Sequence, residues 1–264
     1  MCLLLIAVDA LPGTPLLLLG NRDEFHARAS SAAQPWAEDA RVVGGRDLVA
    51  GGSWFAVRAD GRFAAVTNLR TGVPATAPRS RGWLVRDFVL GDAEPAAFVD
   101  ALRADIGDYG PFNLVVGDRG GALALGGSDG QAWRLGAGVH TVSNGAIGVH
   151  WPKTERLQRR FVEACAGAAG EAGEACLLDL LVDTAQPADE ALPDTGVGLE
   201  LERRLAPVFI EGEKYGTRAG TLVALRDDGT TVLRERRFGP FGRMLGETRW
   251  QGRPGEGFVQ TAST

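Results

Sequence analysis

The chain has 264 residues, of which 45% are hydrophobic and 23% are charged, a balance that excludes a disordered chain and suits a globular protein. The formal net charge is −5 and no basic stripe occurs, so we expect no nucleic-acid partner. No apolar run approaches the roughly 20 residues that span a bilayer, and no basic segment precedes the apolar N-terminus. We therefore expect neither a membrane span nor a secretory signal.

Cysteine usage is typical of a reducing compartment. The three cysteines, Cys2, Cys165 and Cys176, form neither a C-x-x-C pair nor an even disulfide framework. The sequence therefore predicts no metal site and no disulfide scaffold, and we expect a cytoplasmic protein.

The first predicted elements are two short apolar runs at residues 3–8 and 15–20, separated by a turn-rich segment. Each run is continuously apolar, as in strands buried on both faces, and together they predict an interior antiparallel hairpin. A polar block at 21–25 follows the second run. Strand-like segments then flank Asp60-Gly61, a dipeptide that favours tight turns, and predict a second hairpin.

Helices and further strands follow along the chain. Apolar spacing predicts helices over about 80–90, 94–106 and 152–184, the last broken by glycines near 167–173. Strands are predicted at 112–118, 121–126, 130–135, 139–143, 220–226 and 231–238. This order predicts one domain over residues 1–264, with packed sheets inside and helices outside.

The second residue, Cys2, has the chemistry of a self-contained nucleophile. Removal of Met1 would leave a thiol and a free α-amine on one residue. An α-amine has a pKa of about 7.7–8.0 and can accept the thiol proton, so no histidine is required. From its position alone, a small apolar residue at the chain end is the simpler interpretation of Cys2.

A set of short motifs spread over nearly the whole chain decides between these interpretations. Each motif is weak alone, but the combination is specific: Met1-Cys2, Asn21-Arg22-Asp23-Glu24-Phe25 with Arg28, Gly51-Gly52-Ser53-Trp54, Thr67-Asn68, Phe112-Asn113-Leu114, Ser143-Asn144 and Tyr215-Gly216-Thr217-Arg218. The combination resembles the NRDE family, the transport-and-Golgi-organisation protein 2 type.

That family in turn is similar to the cysteine branch of the N-terminal-nucleophile hydrolases, which includes penicillin V acylases and bile salt hydrolases. The resemblance implies an α+β fold, a four-layer αββα sandwich of two mainly antiparallel sheets with helices outside. It also implies that Cys2 is the nucleophile of a catalytic site shared with Arg22, Asp23, Asn68, Asn144 and Arg218. Asparagine amides stabilise an oxyanion, and arginines near a cysteine favour its thiolate.

Three further residues are candidates for substrate binding: Glu24, Trp54 and Trp151. For the two tryptophans the alternative is core packing. The hydrolases separate their Arg and Asp by two residues, whereas Arg22 and Asp23 are adjacent, so either Asp23 or Glu24 can take the carboxylate position. Arg22 and Glu24 can also be a structural ion pair.

The resemblance implies a cysteine hydrolase that cuts an amide or thioester of a small-molecule substrate through an acyl-enzyme on Cys2, without a cofactor. The alternative is a non-catalytic carrier on the same fold, because NRDE relatives are linked to haem trafficking and to lipid or acyl-coenzyme A metabolism. Haem is then the candidate cargo, with Cys2, His26 or His150 as iron ligands. A structural role in membrane organisation has only the family name in its favour.

Overall fold

The computed structural model describes residues 3–72, 77–165 and 170–261. The strands are β1 (Leu3–Leu11), β2 (Thr14–Phe25), β3 (Gln34–Pro35), β4 (Val42–Gly44), β5 (Phe55–Arg58), β6 (Phe63–Asn68), β7 (Phe112–Asp118), β8 (Gly121–Gly126), β9 (Ala132–Leu135), β10 (Gly138–Val142), β11 (Tyr215–Leu225), β12 (Thr231–Phe238), β13 (Met244–Gly252) and β14 (Val259–Thr261). The α-helices are α1 (Gly82–Leu90), α2 (Pro95–Leu102), α3 (Pro152–Cys165), α4 (Gly170–Asp179) and α5 (Leu199–Leu205).

The strands form two seven-stranded sheets. The first has the order β10-β1-β2-β11-β12-β13-β14 and the second has the order β3-β4-β5-β6-β7-β8-β9. Neighbouring strands run antiparallel throughout. The hairpin predicted for the first two apolar runs is β1–β2, with Leu3 opposite Asn21, and it lies in the middle of the first sheet.

Side chains of β1 and β2 alternate between two cores. Even-numbered residues, such as Leu4 and Leu18, pack against the second sheet. Odd-numbered residues, such as Leu5 and Leu19, pack beneath α3 and α4. Because successive side chains of a strand point to opposite faces, a strand covered on both faces is apolar at every position.

The second sheet is covered in the same way. Leu84 and Phe88 of α1 and Val99 of α2 pack on its outer face against residues such as Ala64 and Leu114. The order of layers is therefore helices, sheet, sheet, helices, and the αββα sandwich predicted from the sequence is confirmed.

Several elements differ from the sequence-based bounds. The polar block at 21–25 belongs to β2, because β11 pairs with it along its length. The predicted helical region 152–184 was expected to be broken by glycines near 167–173, but α4 begins at Gly170 and includes Gly173. The sequence patterns did not predict α5, β13 or β14, which follow the last predicted helix and the last predicted strand.

Two sets of hydrogen bonds join the sheets at opposite ends of the sandwich. At one end, the Asn113 amide donates to the carbonyls of Ser143 (3.1 Å) and Gly145 (2.8 Å). At the other end, the Arg119 guanidinium donates to the carbonyls of Arg226 (2.8 Å) and Gly229 (2.6 Å). These bonds tie β7 and the β7–β8 turn of the second sheet to loops of the first sheet.

Candidate functional site

A polar cleft of about 350 Å³ opens between the two sheets where β2 and β6 end. We call it the polar cleft. Its walls come from β2, β6, the loop after β4 and the start of α1, with the lining side chains Arg22, Glu24, Arg28, Asp47, Ser53, Trp54, Asn68, Arg79, Ser80 and Arg81 among others.

A close backbone contact brings the start of α1 to this cleft. A Cβ atom at Gly52 would lie 2.3 Å from the carbonyl carbon of Gly82, so only glycine fits at position 52. The Ser53 N–H also donates to the Gly82 carbonyl at 3.0 Å. The Gly51-Gly52-Ser53-Trp54 motif therefore fixes one wall of the polar cleft.

Alternation along β2 decides which residues of the Asn-Arg-Asp-Glu block reach the polar cleft. Arg22 and Glu24 line it. Asn21 instead donates from its amide to the carbonyls of Leu181 and Val208, both at 2.8 Å. The Asp23 carboxylate accepts a hydrogen bond from the Thr217 hydroxyl at 2.6 Å. Of the two acids, Glu24 is thus the one that shares the cleft with Arg22, within the described ranges.

The Arg22 guanidinium is the most buried charge of the polar cleft. The residue is only 4% exposed, and its guanidinium lies over the Trp54 ring at 4.3 Å from the centroid. Burial lowers the pKa of Arg22, Glu24 opposes this shift, and the Arg218 charge adds to it. An arginine remains protonated under such a shift, so the cleft holds a desolvated positive charge.

An ion pair lies at the mouth of the polar cleft. Arg28 donates to the Asp47 carboxylate at 2.7 Å, and a Glu24 oxygen lies 3.8 Å from the Arg28 Nε. Burial disfavours the charge on Asp47, but hydrogen bonds from Arg28 and from the Val49 N–H outweigh it and lower the pKa of Asp47. The Asp47 carboxylate is therefore ionised at neutral pH and compensates Arg28.

A larger, mainly apolar cleft of about 520 Å³ adjoins the polar cleft, and we call it the apolar cleft. Asn68 lines both. The other lining residues are Phe25, Leu69, Arg70, Asn144, Val197, Leu201, Arg204, Leu205, Ile210, Lys214 and Tyr215. Most of this surface is hydrocarbon, with three basic side chains along it.

The two predicted asparagines meet at the junction of these clefts. The Asn144 amide donates to the backbone carbonyl of Asn68 at 2.8 Å. Lys153 in turn donates to the Asn144 side-chain oxygen at 3.5 Å and to the Leu205 carbonyl at 3.2 Å. Asn144 therefore holds the end of β6 in place, where Asn68 lines both clefts.

A third cleft of about 160 Å³ lies beyond Arg22 and Trp54, which also line the polar cleft, and Arg218 lines it as well. Arg218 sits at an irregularity in the pairing of β11 with β2. Its guanidinium donates to the carbonyls of Phe25 (3.2 Å) and Arg28. Arg218 thus lines the third cleft and is not among the residues that line the polar cleft.

The predicted site residues are thus distributed over adjoining clefts. Cys2 lies outside the described residues; Leu3, the residue bonded to it, pairs with Asn21 at the same end of the sandwich. Trp54 lines both the polar and the third cleft. Trp151 lines neither of these two clefts: it is buried, with the Arg70 guanidinium 5.0 Å from its ring centroid. The catalytic roles assigned from the resemblance stay predictions.

Some lining residues were missed by sequence reasoning. Leu201 and Leu205 of α5 carry the wall of the apolar cleft, and their i, i+4 spacing was the available signal. Asp47 gave no signal in the sequence, because it follows no motif and its partner Arg28 is 19 positions away.

Within residues 3–72, 77–165 and 170–261, no three His, Cys, Asp or Glu side chains lie close enough to hold a metal ion. Over the same ranges, no helix has the length and apolarity needed to cross a membrane.

The sandwich and its terminal clefts define the class: this is the fold of the N-terminal-nucleophile hydrolases. The N-acylethanolamine-hydrolyzing acid amidase ortholog of Caenorhabditis elegans matches with a TM-score of 0.52 and 11% identity, over 84% of this chain and 92% of its own. A cysteine-to-alanine variant of the conjugated bile acid hydrolase from Clostridium perfringens matches with a TM-score of 0.54 and 8% identity, over 100% and 97%. At these identities the likeness is one of fold.

The particular family follows from the sequence. The family described as Transport and Golgi organisation 2 matches residues 1–240, and the chain belongs to it. The Transport and Golgi organization protein 2 homolog of Bos taurus is 29% identical, over 95% of this chain and 96% of its own length. The Homo sapiens homolog is 28% identical, over 89% and 92%. The predicted NRDE family is confirmed.

Proposed function

We propose that this chain is an N-terminal-cysteine hydrolase that cleaves an amide or a thioester of an acyl group through an acyl-enzyme on Cys2. The observation that carries the proposal is the position of Asn68, the residue that lines both the polar and the apolar cleft. A carbonyl placed at this junction has an amide donor for its developing oxyanion. The polar cleft then takes the leaving group and the apolar cleft takes the acyl chain.

The proposed reaction has two steps. The α-amine of Cys2, freed by loss of Met1, takes the thiol proton, and the thiolate attacks the carbonyl carbon. The tetrahedral intermediate collapses with cleavage of the C–N or C–S bond, and the proton passes to the departing amine or thiolate. Water then attacks the thioester on Cys2, which releases a carboxylic acid and restores the thiol.

The charge of the polar cleft supports the first step. A thiolate is stabilised by nearby cations, and Arg22 is a buried cation at the end of the strand that pairs with β1. Arg28, by contrast, is compensated by Asp47 and contributes less net charge. The proposal requires that the Cys2 thiol face the same space between the sheets as Leu4 and reach Arg22.

The apolar cleft supports an acyl substrate with a long hydrocarbon part. Its wall is built from side chains such as Phe25, Leu69, Leu201 and Ile210, which offer little to a polar ligand. Burial of hydrocarbon contributes about 0.8 kcal/mol per methylene, so a longer chain binds more tightly until the cleft is full. Both fold neighbours are named as hydrolases, the amidase for N-acylethanolamines and the other for conjugated bile acids.

The test is turnover of acyl-amide and acyl-thioester substrates of increasing chain length by three proteins: the wild type, Cys2→Ser and a form with one residue added before Cys2. Intact mass spectrometry first establishes whether Met1 is absent. Both altered proteins are expected to fold and to lose most activity, because one lacks the thiol and the other converts the α-amine into an amide.

The matched control is Cys176→Ser, since Cys176 is exposed and belongs to none of the clefts described above. It should retain full activity. Activity that survives intact in both the Cys2→Ser and the extended protein would end the catalytic proposal.

The apolar cleft also favours a second candidate, a non-catalytic carrier of an apolar ligand bearing carboxylates. Arg204 and Lys214 lie along the cleft and can pair with such groups, as the propionates of haem would require. Tyr215 is the one described lining residue of a type that ligates haem iron, and His26 lies outside this lining. The carrier predicts a Soret band on adding haem to protein that retains Met1, weakened by Tyr215→Phe and unaffected by Cys2→Ser.

A further inference from the structure

The third cleft is rich in arginines, and of its lining residues the proposed reaction steps use only Arg22. We call it the arginine cleft. Three arginines line it, Arg22, Arg218 and Arg237, with a single acid, Glu235. Leu233, Glu235 and Arg237 are every second residue of β12 and therefore lie on the same face of the strand. Because Leu233 packs between the sheets, Glu235 and Arg237 face that space as well. The cleft lies on the side of Arg22 nearer to β11 and β12.

The arginines hold unused hydrogen-bonding capacity. Nη1 of Arg22 and Nε of Arg237 are buried and have no hydrogen-bond partner among the described residues. Arg218 donates to backbone carbonyls, which are neutral acceptors. Because a buried donor without an acceptor destabilises the protein, these groups are poised for an anion that accepts from them.

The only acid that lines the arginine cleft in the described chain is itself uncharged for part of the physiological range. Glu235 is 1% exposed, and one of its oxygens accepts from the Ala33 N–H at 2.8 Å. Burial raises the pKa of Glu235 to about 7, although the Ala33 hydrogen bond and the charges of Arg237 and Arg22 oppose the shift. The protonated carboxyl is a hydrogen-bond donor.

The rest of the arginine cleft is small, with a volume of about 160 Å³. Trp54, Ala219, Phe238 and Leu245 line it with hydrocarbon beside the charged groups, and Ser30 and Ser31 add hydroxyls. A phosphate would leave this hydrocarbon without an apolar partner, whereas a short aliphatic chain on a carboxylate can lie against it.

We infer that the arginine cleft binds a short aliphatic monocarboxylate, whose oxygens accept from Arg22 and Arg237 and whose chain lies against Phe238 and Leu245. This site adjoins the proposed hydrolytic centre and is coupled to it through Arg22, which belongs to both clefts. An occupant adds negative charge beside Arg22 and so weakens the positive field that reaches the polar cleft.

The groups that face Glu235 determine the pH dependence of this binding. They are Arg22 from β2, Arg218 and Thr221 from β11, Arg237 from β12, Thr248 from β13, and Ser31 and the Ala33 N–H from the loop before β3. A second carboxylate next to Glu235 is favoured only while Glu235 keeps its proton. Binding is therefore linked to one proton, and the affinity falls above pH 7.

The experiment is a titration with sodium acetate against sodium chloride at equal ionic strength, followed by the NMR signals of the arginine Nε–H groups and of residues 30–33. Acetate stays ionised between pH 6 and 8, so a pH dependence of binding belongs to the protein, and the Glu235→Gln variant separates Glu235 from the α-amine of Cys2 as its source. We expect saturable binding at pH 6 and a dissociation constant about tenfold higher at pH 8, as for linkage to one proton with a pKa near 7.

The variants separate the site from general surface charge. Glu235→Gln keeps an uncharged hydrogen-bonding side chain and should bind at pH 8 as the wild type binds at pH 6. Arg237→Gln should weaken binding by about tenfold or more at both pH values, and Arg237→Lys should recover part of it. Arg243→Gln removes an exposed arginine outside the cleft and should change nothing.

No saturable acetate shift at pH 6 would overturn the inference, as would equal weakening by Arg237→Gln and Arg243→Gln. A Glu235→Gln protein with the wild-type pH dependence would overturn it as well. Because the titration needs no turnover and is repeated in Cys2→Ser protein, its failure leaves the proposed hydrolysis standing, and the converse also holds.

Discussion

The polar and apolar clefts share one described residue, Asn68, yet they differ in almost every physical property. The polar cleft is lined by charges, several of which are already paired, as in Arg28–Asp47. The apolar cleft is larger and mostly hydrocarbon. A charged wall recognises a polar group by direction and distance, whereas a hydrocarbon wall recognises length and volume.

The contrast arises within a single stretch of β2. Arg22 and Glu24 turn into the polar cleft, while Phe25, at the end of the same strand, lines the apolar cleft. A five-residue block can therefore serve two recognition surfaces, because the direction of a strand side chain changes at each residue. We therefore expect the reacting bond of a substrate to lie where the polar and the apolar cleft meet.

The largest effect is expected at the junction itself. Asn68→Ala should lower kcat by about 10²–10³ with little change in KM, because it removes a donor needed only for the oxyanion. The measurement is steady-state turnover of the acyl-amide or acyl-thioester substrate that the wild type cleaves best. Asn68→Asp is the control, since it keeps the shape and lacks the donor, and should be equally slow.

Both variants retain the backbone carbonyl that accepts from Asn144, so the end of β6 stays in place. An unchanged kcat in Asn68→Ala would remove the reason for placing the reaction at the junction of the two clefts.

The next effect concerns the electrostatic cost of burying Glu235 in the arginine cleft, which adjoins the polar cleft at Arg22. Glu235 has a pKa of about 7 in the folded protein against 4.5 in an exposed chain, so the folded state holds a proton that the unfolded state releases between these values. The free energy of unfolding should therefore fall as pH rises from 4.5 to 7, by at most about 3 kcal/mol, and level off above.

Urea denaturation at pH 5 and pH 8 measures this difference. Glu235→Gln should lack this component of the slope and gain stability relative to the wild type at pH 8. Parallel pH profiles of the two proteins would contradict the raised pKa.

A smaller effect is expected when a charge is placed on the wall of the apolar cleft. Leu201→Glu places a carboxylate on its wall and should raise KM for long-chain substrates about tenfold or more, with short-chain substrates little affected. Leu201 is 38% exposed, so folding should tolerate the change. Leu199→Glu is the matched control, on the same helix, 49% exposed and outside the lining. Equal effects in the two variants would argue against the apolar cleft as the acyl site.

The smallest effect is expected for the ion pair at the mouth of the polar cleft. A double-mutant cycle of Arg28→Gln and Asp47→Asn should give a coupling energy of about 0.5–1 kcal/mol in urea denaturation, because both side chains are partly solvated. The lowered pKa of Asp47 places this stability above the unfolded pKa of an aspartate and removes it as pH falls through the folded value. Strictly additive single effects would show that the pair contributes nothing.

Much of the fold could be predicted because burial on both faces leaves an unmistakable pattern. The continuous apolar runs of β1 and β2 predicted the central hairpin, and β12 was predicted with its observed bounds. The strand β13 escaped because its buried face is polar: Arg249 is held there by Glu174 of α4 at 2.8 Å. A charged strand face covered by a distant partner has no hydrophobic period to detect.

The candidate site was predicted less completely, for a related reason. The resemblance supplied Arg22 and Asp23 together, but adjacent residues of a strand face opposite ways: Arg22 lines the polar cleft, and the Asp23 carboxylate accepts a hydrogen bond from Thr217. The period of two was available from the sequence and favours Glu24 as the acid beside Arg22. The apolar cleft depends on α5, a helix of seven residues, for which the i, i+4 spacing of Leu201 and Leu205 is a weak local signal because so short a helix is stabilised mainly by its packing.

The hydrogen bonds that join the sheets at both ends of the sandwich have a consequence for how such clefts can diversify. Sliding one sheet over the other would break the bonds of Asn113 and those of Arg119 together, since they lie at opposite ends. These hydrogen bonds therefore hold the two sheets in a fixed position relative to each other. New ligand preferences can arise in this scaffold by substitution of side chains on the strand ends and on α5, while the packing of the two sheets stays the same.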